Sequence, residues 1–240
     1  MNDSREIILS ADGSSTLKLK DFDECFHSIN GALAESLHIF FSSGLEFYAG
    51  ERDEISVFEM GFGTGLNAYL TLLFAKLHPW LKINYITVEK FPLKEFEYKK
   101  LNYPKMVASI PGYSFLTATE NPTEDFVKPF NTLHELPWGS EQNLLPNFSF
   151  TKFQGDLLDL ELSRECVDII YYDAFSPNTQ PELWSTDVFK KLYGWLVPAG
   201  ILVTYSSKGI VKQALRDSGF LVKRLPGPAG KKHIVRAIHP

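Results

Sequence analysis

Cysteine is scarce in this chain: Cys25 and Cys166 are the only two in 240 residues. Two thiols make neither a disulfide framework nor a four-ligand zinc site, and they read as reduced, structural groups in a cytoplasmic protein. The six histidines form no HxxxH or HExxH pattern, so no metal is expected. No apolar run approaches the length that crosses a bilayer, so no membrane association is expected. The opening Met1-Asn2-Asp3-Ser4 is polar where a secretory signal would turn apolar. Internal repeats and low-complexity tracts are missing too. What is left is a chain with 44% hydrophobic residues, enough to bury one large core.

The most informative stretch is Val57-Phe58-Glu59-Met60-Gly61-Phe62-Gly63-Thr64-Gly65-Leu66-Asn67. Ile55 to Met60 reads as a short apolar strand. After the glycines, Leu66, Leu70, Leu73, Phe74 and Leu77 have helical spacing and end at His78-Pro79. Strand, glycine loop and helix N-terminus together make the first turn of a nucleotide-binding α/β unit. A dinucleotide fingerprint would need Gly or Ala at position 66, which is Leu. The spacing G-x-G-x-G, with Glu59 two residues ahead, instead resembles the S-adenosylmethionine loop of Rossmann-like methyltransferases; a plain tight turn is the competing reading. The next strand, Lys82 to Glu89, ends in an acid 24 residues beyond Gly65. A carboxylate there can accept both hydroxyls of a ribose.

Around this unit the chain is read in order. Ile7-Ile8-Leu9, a turn at Asp12-Gly13-Ser14, and Leu17-Lys18-Leu19 predict a β-hairpin. A helix follows, capped by Ser28 or Asn30, with an apolar stripe at Leu33, Leu37 and Phe40 or Phe41, and stopped by Gly44. Glu35 and His38 share a face of it, either as a solvent-exposed pair or on a lid across the cofactor cleft. Phe91 to about Asn102 predicts a helix, while residues 103–147 read as short helices or an insertion. Phe148 to Gln154 and Val167 to Tyr172 are strands. Asp156 follows the first, as a helix cap or a partner of adenine. Asp173 ends the second, as a strand-end cap or a group at the ligand crevice. A helix over 186–196, a turn at Pro198-Ala199-Gly200, a strand from Ile201 to Tyr205 and a helix from Lys208 to Ser218 come next. Phe220 to Leu225 and His233 to Ile238 close the chain as a hairpin, where a dinucleotide-binding half would add a crossover helix.

Charge is distributed unevenly. The net charge is −5, but from Gly200 onward eight Lys or Arg face one acid, Asp217. Such a basic end is either solvated surface or a phosphate-binding face.

The segments Phe26-His27-Ser28 with Gly31-Ala32 and Glu35-Ser36, Glu59 to Asn67, and Glu89-Lys90-Phe91-Pro92-Leu93 carry a resemblance. So do Gly155-Asp156, Asp173-Ala174-Phe175-Ser176-Pro177, Pro181-Glu182-Leu183-Trp184, Gly200, Tyr205-Ser206-Ser207 and Gly219-Phe220. Together they resemble the methyltransferase domain of the MnmC family, which completes 5-methylaminomethyl-2-thiouridine at the tRNA wobble position. The resemblance implies an α/β fold of the Rossmann-like class I methyltransferase type: a seven-stranded sheet ending in an antiparallel hairpin, with an N-terminal hairpin and lid helix (residues 1–50) packed on a methyltransferase domain (51–240). It implies S-adenosyl-L-methionine as cofactor, held by Glu59, Gly61, Gly63, Gly65, Asn67, Glu89, Lys90, Asp156 and Asp173. His27, Ser28, Glu35, Phe175 and Pro177 would face the substrate, with Asp173 catalytic. The partner implied is tRNA, near its anticodon, with Lys223, Arg224, Lys231 and Lys232 on its phosphates. Fused members of the family carry a second, FAD-dependent domain. No residues after Pro240 could house one, so only the last methylation is expected of this chain. Residues 103–147 depart from the family pattern.

On this reading Asp173 accepts hydrogen bonds from the acceptor amine, aims its lone pair and offsets the charge growing on nitrogen. Two other readings stand beside it: a methyl- or aminopropyltransferase acting on a small amine, and an RNA-binding module without catalysis.

Overall fold

The computed structural model describes residues 5–20, 24–50, 52–110 and 122–240, without the side chains of residues 122–124. Its centre is an eight-stranded sheet. Five strands run parallel: β4 (Glu54–Met60), β5 (Lys82–Glu89), β7 (Phe148–Gln154), β8 (Val167–Tyr172) and β9 (Leu196–Thr204). The terminal hairpin of β10 (Leu221–Pro226) and β11 (His233–Ile238) adds antiparallel beside β9. The expected seven strands are thus present, and an eighth corrects the count. β6 (Gln142–Leu145) pairs antiparallel with β7 at the far edge, so the order is β10-β11-β9-β8-β4-β5-β7-β6. Four residues carrying only two apolar side chains give too short an alternation to be legible as a strand.

The central strands are apolar on both faces because both are covered. Val57, Tyr85, Ile169, Tyr171, Ile201 and Val203 pack on one side; Phe58, Val88, Ile170, Tyr172 and Leu202 pack on the other. Alternate residues of one strand therefore enter two separate cores. The first core is closed by α3 (Leu66–Leu77) and the N-terminal helical stretch. The second is closed by α7 (Thr186–Trp195) and α8 (Gly209–Asp217) through Val188, Phe189, Leu192, Trp195, Val211 and Leu215.

The N-terminal hairpin forms from β1 (Arg5–Leu9) and β2 (Ser15–Leu19), with β3 (Glu24–Cys25) added to β2. The helix after it differs from expectation. Neither Ser28 nor Asn30 caps it, because the hairpin turn does. Ala32 N donates to Ser10 Oγ (3.1 Å), Leu33 N to Ser14 Oγ (3.0 Å) and Ala34 N to Asp12 Oδ2 (2.9 Å). The first turn, α1 (Ala32–Ser36), widens into a π-helix over Leu37–Glu46 and ends in α2 (Phe47–Ala49). Gly44 does not stop it. A Cβ there would stand 3.1 Å from Val203 and 3.2 Å from Tyr171, so this glycine lets the helix lie against the sheet. With Ile39, Phe40 and Leu45 buried, the stretch is a layer of the core.

The helix expected over Phe91–Asn102 shrinks to α4 (Glu95–Tyr98), and a separate helix, α5 (Tyr103–Ala108), begins just beyond it. Within 103–147, expected as short helices or an insertion, residues 111–121 lie outside the described residues, and α6 (Pro122–Glu135) follows. Phe126, Phe130 and Leu133 bury one face of α6. The buried Lys152 on β7 donates to the carbonyls of Leu133 (2.9 Å) and His134 (2.5 Å) at its last turn. A cation at a helix C-terminus meets the negative end of the dipole.

Candidate active site

Strand order reverses between β4 and β8, and at such a point the carboxyl ends of two neighbouring strands leave a crevice. The glycine loop fills the foot of it. Gly61 and Phe62 both donate to Val88 O at 3.1 Å, which ties the loop to β5. Gly61 (φ +85°) and Gly63 (φ +50°) adopt backbone that favours glycine, and a Cβ on Gly63 would stand 3.2 Å from the Phe26 ring.

Two cavities open from this crevice. The larger, about 340 Å³, is lined by Gly61, Gly63, Asn67, Glu89, Lys90 and Asp156, with Met60, Phe91, Leu157 and Leu183 as apolar walls. Glu89 closes its β5 side: Oε2 accepts from Gly63 N (2.9 Å) and Oε1 from Phe91 N (2.7 Å). Each oxygen keeps a second lone pair with which to accept from a ligand. Asp156 Oδ1 accepts from Leu158 N (3.0 Å), capping a turn and not a helix, and the residue lines the cavity. Its Oδ2 holds Lys90 Nζ at 2.7 Å.

The smaller cavity, about 270 Å³, lies beyond Asp173 and is lined by His27, Ser28, Glu35, Phe175, Tyr205 and Lys231, among others. Phe26, His27, Asp173, Ala174 and Phe175 border both cavities and form the partition. Phe26 and Phe175 meet edge to face at 5.2 Å. Asp173 accepts from Asn67 Nδ2 (3.3 Å), and its Oδ2 stands 3.9 Å from His27 Nδ1. Burial, reinforced by the Glu35 carboxylate, pushes the Asp173 carboxyl up to about 8. Burial also pushes His27 down to about 4, so its imidazole is neutral at neutral pH and the contact with Asp173 is no ion pair. His27 Nε2 bonds Thr64 Oγ1 at 2.7 Å, while its buried Nδ1 has no hydrogen-bond partner.

Several expected site residues stand elsewhere. Glu59 lines neither cavity. It is buried under the loop among Thr87, Tyr85 and Asn67, and burial raises its carboxyl well above the usual range. Gly65 is the left-handed residue before α3 (φ +74°), with His134 Nε2 only 2.8 Å from a Cβ placed there, so it serves packing. Pro177 is buried away from both cavities. Lys223, Arg224 and Lys232 are exposed on the terminal hairpin. Lys231 is not part of that surface: its Nζ pairs with Glu35 and lies 4.6 Å from the Tyr205 ring centre. Glu35 and His38 share a face as expected, but it meets the terminal hairpin, through Lys231 and through Pro226 O (2.8 Å).

Phe26, Thr64 and Tyr205 were not singled out as site residues by sequence. Thr64 sits inside the glycine motif and Tyr205 ends a strand at the crevice, so both carried a positional signal. Phe26 carried none beyond its neighbour His27.

A family described as S-adenosyl-L-methionine-dependent methyltransferase matches residues 117–240, more than half of the chain. The chain belongs to this family. Its cofactor is S-adenosyl-L-methionine. The chain is 30% identical over 222 residues to the tRNA 5-methylaminomethyl-2-thiouridine biosynthesis bifunctional protein MnmC of Burkholderia multivorans, covering 90% of this chain and 32% of that protein. It thus spans about a third of the length of the curated relatives it matches. Among solved structures, MNMC2 of Aquifex aeolicus superposes with a TM-score of 0.75 at 28% identity, covering 98% of this chain and 70% of that one. Spermidine synthase of Thermotoga maritima shares the fold, with a TM-score of 0.60 at 14% identity, 98% of this chain and 69% of that chain.

The larger cavity suits such a methyltransferase's cofactor. Carboxylates from β5 and the loop after β7 flank apolar Phe91 and Leu157, the polar and flat surfaces that a ribose and a purine require. Among the described residues no helix is long and apolar enough to cross a membrane, and no cluster of three His, Cys, Asp or Glu is arranged for a metal ion.

Proposed function

We propose that the chain methylates the aminomethyl nitrogen of a wobble uridine in tRNA, converting 5-aminomethyl-2-thiouridine to 5-methylaminomethyl-2-thiouridine in the cytoplasm. One observation carries this reading: Asp173 stands in the partition between a nucleoside-sized cavity and a second, more polar one. The likeness to MnmC over nearly the whole chain supports this choice of nucleoside.

S-adenosyl-L-methionine supplies a methyl group already made electrophilic by its sulfonium. Glu89 would hold the ribose hydroxyls, the amides around Gly61 and Gly63 would meet the amino-acid end, and Asp156 with Lys90 would border the base. The chain's remaining task is to deliver an amine with a free lone pair. An alkylamine reaches the site as R–NH₃⁺ at neutral pH. Asp173, titrating near 8, is mostly protonated at neutral pH; its minor ionised form takes that proton, leaving R–NH₂ and a neutral acid. Its pKa near 8 is matched to the task, because neither direction of transfer is strongly uphill. Neutral His27 and the Phe26–Phe175 edge keep water from the partition. Exposed Lys223, Arg224 and Lys232 offer charge to the anticodon-arm phosphates.

The test is to incubate the chain with labelled S-adenosyl-L-methionine and tRNA carrying 5-aminomethyl-2-thiouridine, then resolve the nucleosides. Label in 5-methylaminomethyl-2-thiouridine is expected. Transfer to free polyamine without RNA would instead make it a small-amine enzyme, and transfer to neither would leave a binding module.

A further inference from the structure

Lys231 is the one residue of the basic C-terminal group whose charged end lines the second cavity. Its ammonium is held by two things at once. Glu35 pairs with it through Oε1, and the Tyr205 ring lies 4.6 Å away. Both partners are fixed from behind. Glu35 is 5% exposed, with Oε2 accepting from Ser28 N at 2.8 Å, so the carboxylate is not free to turn. Tyr205 donates to Ala174 O at 2.9 Å, which sets the plane of its ring. A pinned carboxylate beside a pinned aromatic face is a site for a compact cation on an alkyl stem. Asp173 lines the same cavity.

The acceptor assigned above is itself a primary amine on one methylene. Lysine ends in the same group. Two ammoniums crowded on one carboxylate repel each other, and the repulsion rises as the cavity excludes water, so the second binds best when the first leaves. The Lys231 side chain keeps 26% of its surface exposed, and its backbone ends a short turn, with Lys231 N donating to Pro228 O (2.9 Å). The side chain can therefore swing to solvent while His38 keeps the end of β10 in place through Pro226 O.

We propose that the cavity formed by Glu35, Tyr205 and Asp173 is a seat for a primary alkylammonium, that Lys231 occupies it from within the chain, and that the acceptor amine binds by displacing Lys231. This rests on the amine-acceptor reading given above. The seat then selects its substrate by competition: a neutral or bulky group fails to dislodge Lys231, and a cation that also gains contacts elsewhere succeeds. It also assigns Lys231 a role opposite to that of a phosphate contact, because removing its charge strengthens acceptor binding.

The probe is n-propylammonium chloride, compared with tetramethylammonium chloride at equal ionic strength, with thermal unfolding of the full chain as readout. Lys231→Met keeps the apolar stem and vacates the seat; Lys231→Gln is the second variant should Met impair folding. The variant is expected to show saturable stabilisation by propylammonium, with an apparent Kd at least tenfold below that of the unsubstituted chain. Adding Glu35→Gln should abolish it, and tetramethylammonium should not reproduce it. With aminomethyl-tRNA, Lys231→Met should lower KM for the tRNA and leave KM for S-adenosyl-L-methionine unchanged. Equal responses of variant and unsubstituted chain to propylammonium overturn the proposal. So does a raised tRNA KM with a flattened salt dependence, which is the signature of a phosphate contact. The propylammonium arm needs no RNA. Saturable binding there without methylation of the tRNA keeps the seat and removes the tRNA reading.

Discussion

Asp173 combines two demands that pull against each other. A carboxyl group buried between two cavities loses hydration that its charged form needs, yet the amine in front of it needs that charge. The Asp173→Asn variant keeps the shape and one acceptor oxygen but never ionises. Its kcat should fall by on the order of 10²-fold or more, with little change in cofactor affinity, as steady-state kinetics and calorimetry would measure. Stability should move the other way. The native carboxyl holds its proton up to about 8, whereas the unfolded chain releases it near 3.8. The native state binds the extra proton in that window, so this contribution is complete below about 3.8 and lost as pH rises through about 8. The stability gap between Asp173→Asn and the unsubstituted chain should therefore widen from about pH 4 to about pH 8 and then level off, which denaturant titrations at several pH values would show. A wild-type rate in the variant would return Asp173 to a strand-end cap.

At the scale of elements, the helix that carries Glu35 is started by a hairpin turn lying about twenty residues earlier. Asp12 accepts from Ala34 N (2.9 Å), from Ser14 N (3.0 Å) and from two serine hydroxyls. Asp12→Ala orphans one amide at the helix start (Ala34 N) and one in the hairpin turn (Ser14 N) and should cost about 1–2 kcal/mol, read as a lower Tm. Because Glu35 lies within that first turn, acceptor KM should rise more than cofactor KM. This contact also shows where sequence stops being legible. The parallel strands, the glycine loop and α7 could be read, because alternation, apolar runs and glycine spacing are local signals. The cap on α1 could not, because Ser10, Asp12 and Ser14 reach it only through the tertiary fold. The same holds within the site. Glu89 and Asp173 end strands, a position that can be counted along the chain. Whether Glu59 faced the cleft or the core depended on Tyr85, Thr87 and Asn67, which close around it only in the tertiary fold. Lys231 read as surface charge because its partner, Glu35, lies at the opposite end of the chain. The family resemblance supplied the segments around Glu35 that spacing alone left ambiguous between lid and surface.

Over the whole molecule, two buried histidines contribute to the response to acid. Burial lowers His27 to about 4 and His134 to about 3, against 6.5 in an unfolded chain. His134 stacks on Tyr98 with ring centres 4.3 Å apart and bonds Thr64 O at 3.1 Å. Between those values the unfolded state binds more protons, so stability is present above about 6.5 and lost as pH falls toward 4 and below. A His27→Gln/His134→Gln variant should show a shallower acid limb in chemical denaturation, whatever its stability at pH 7. Sequence distance leaves a mark of another kind. The pair that closes the second cavity, Lys231 and Glu35, is 196 residues apart, while the polar groups named for the larger cavity, Gly61, Gly63, Asn67, Glu89, Lys90 and Asp156, all fall within residues 61–156. Closing a longer loop costs more chain entropy, and long-range contacts come late in folding. In a refolding time course the protein should thus recover nucleoside binding, followed by a fluorescent adenosine analogue, before it recovers amine-dependent turnover. For a short interval each new molecule would hold its donor with no enclosed place for an acceptor.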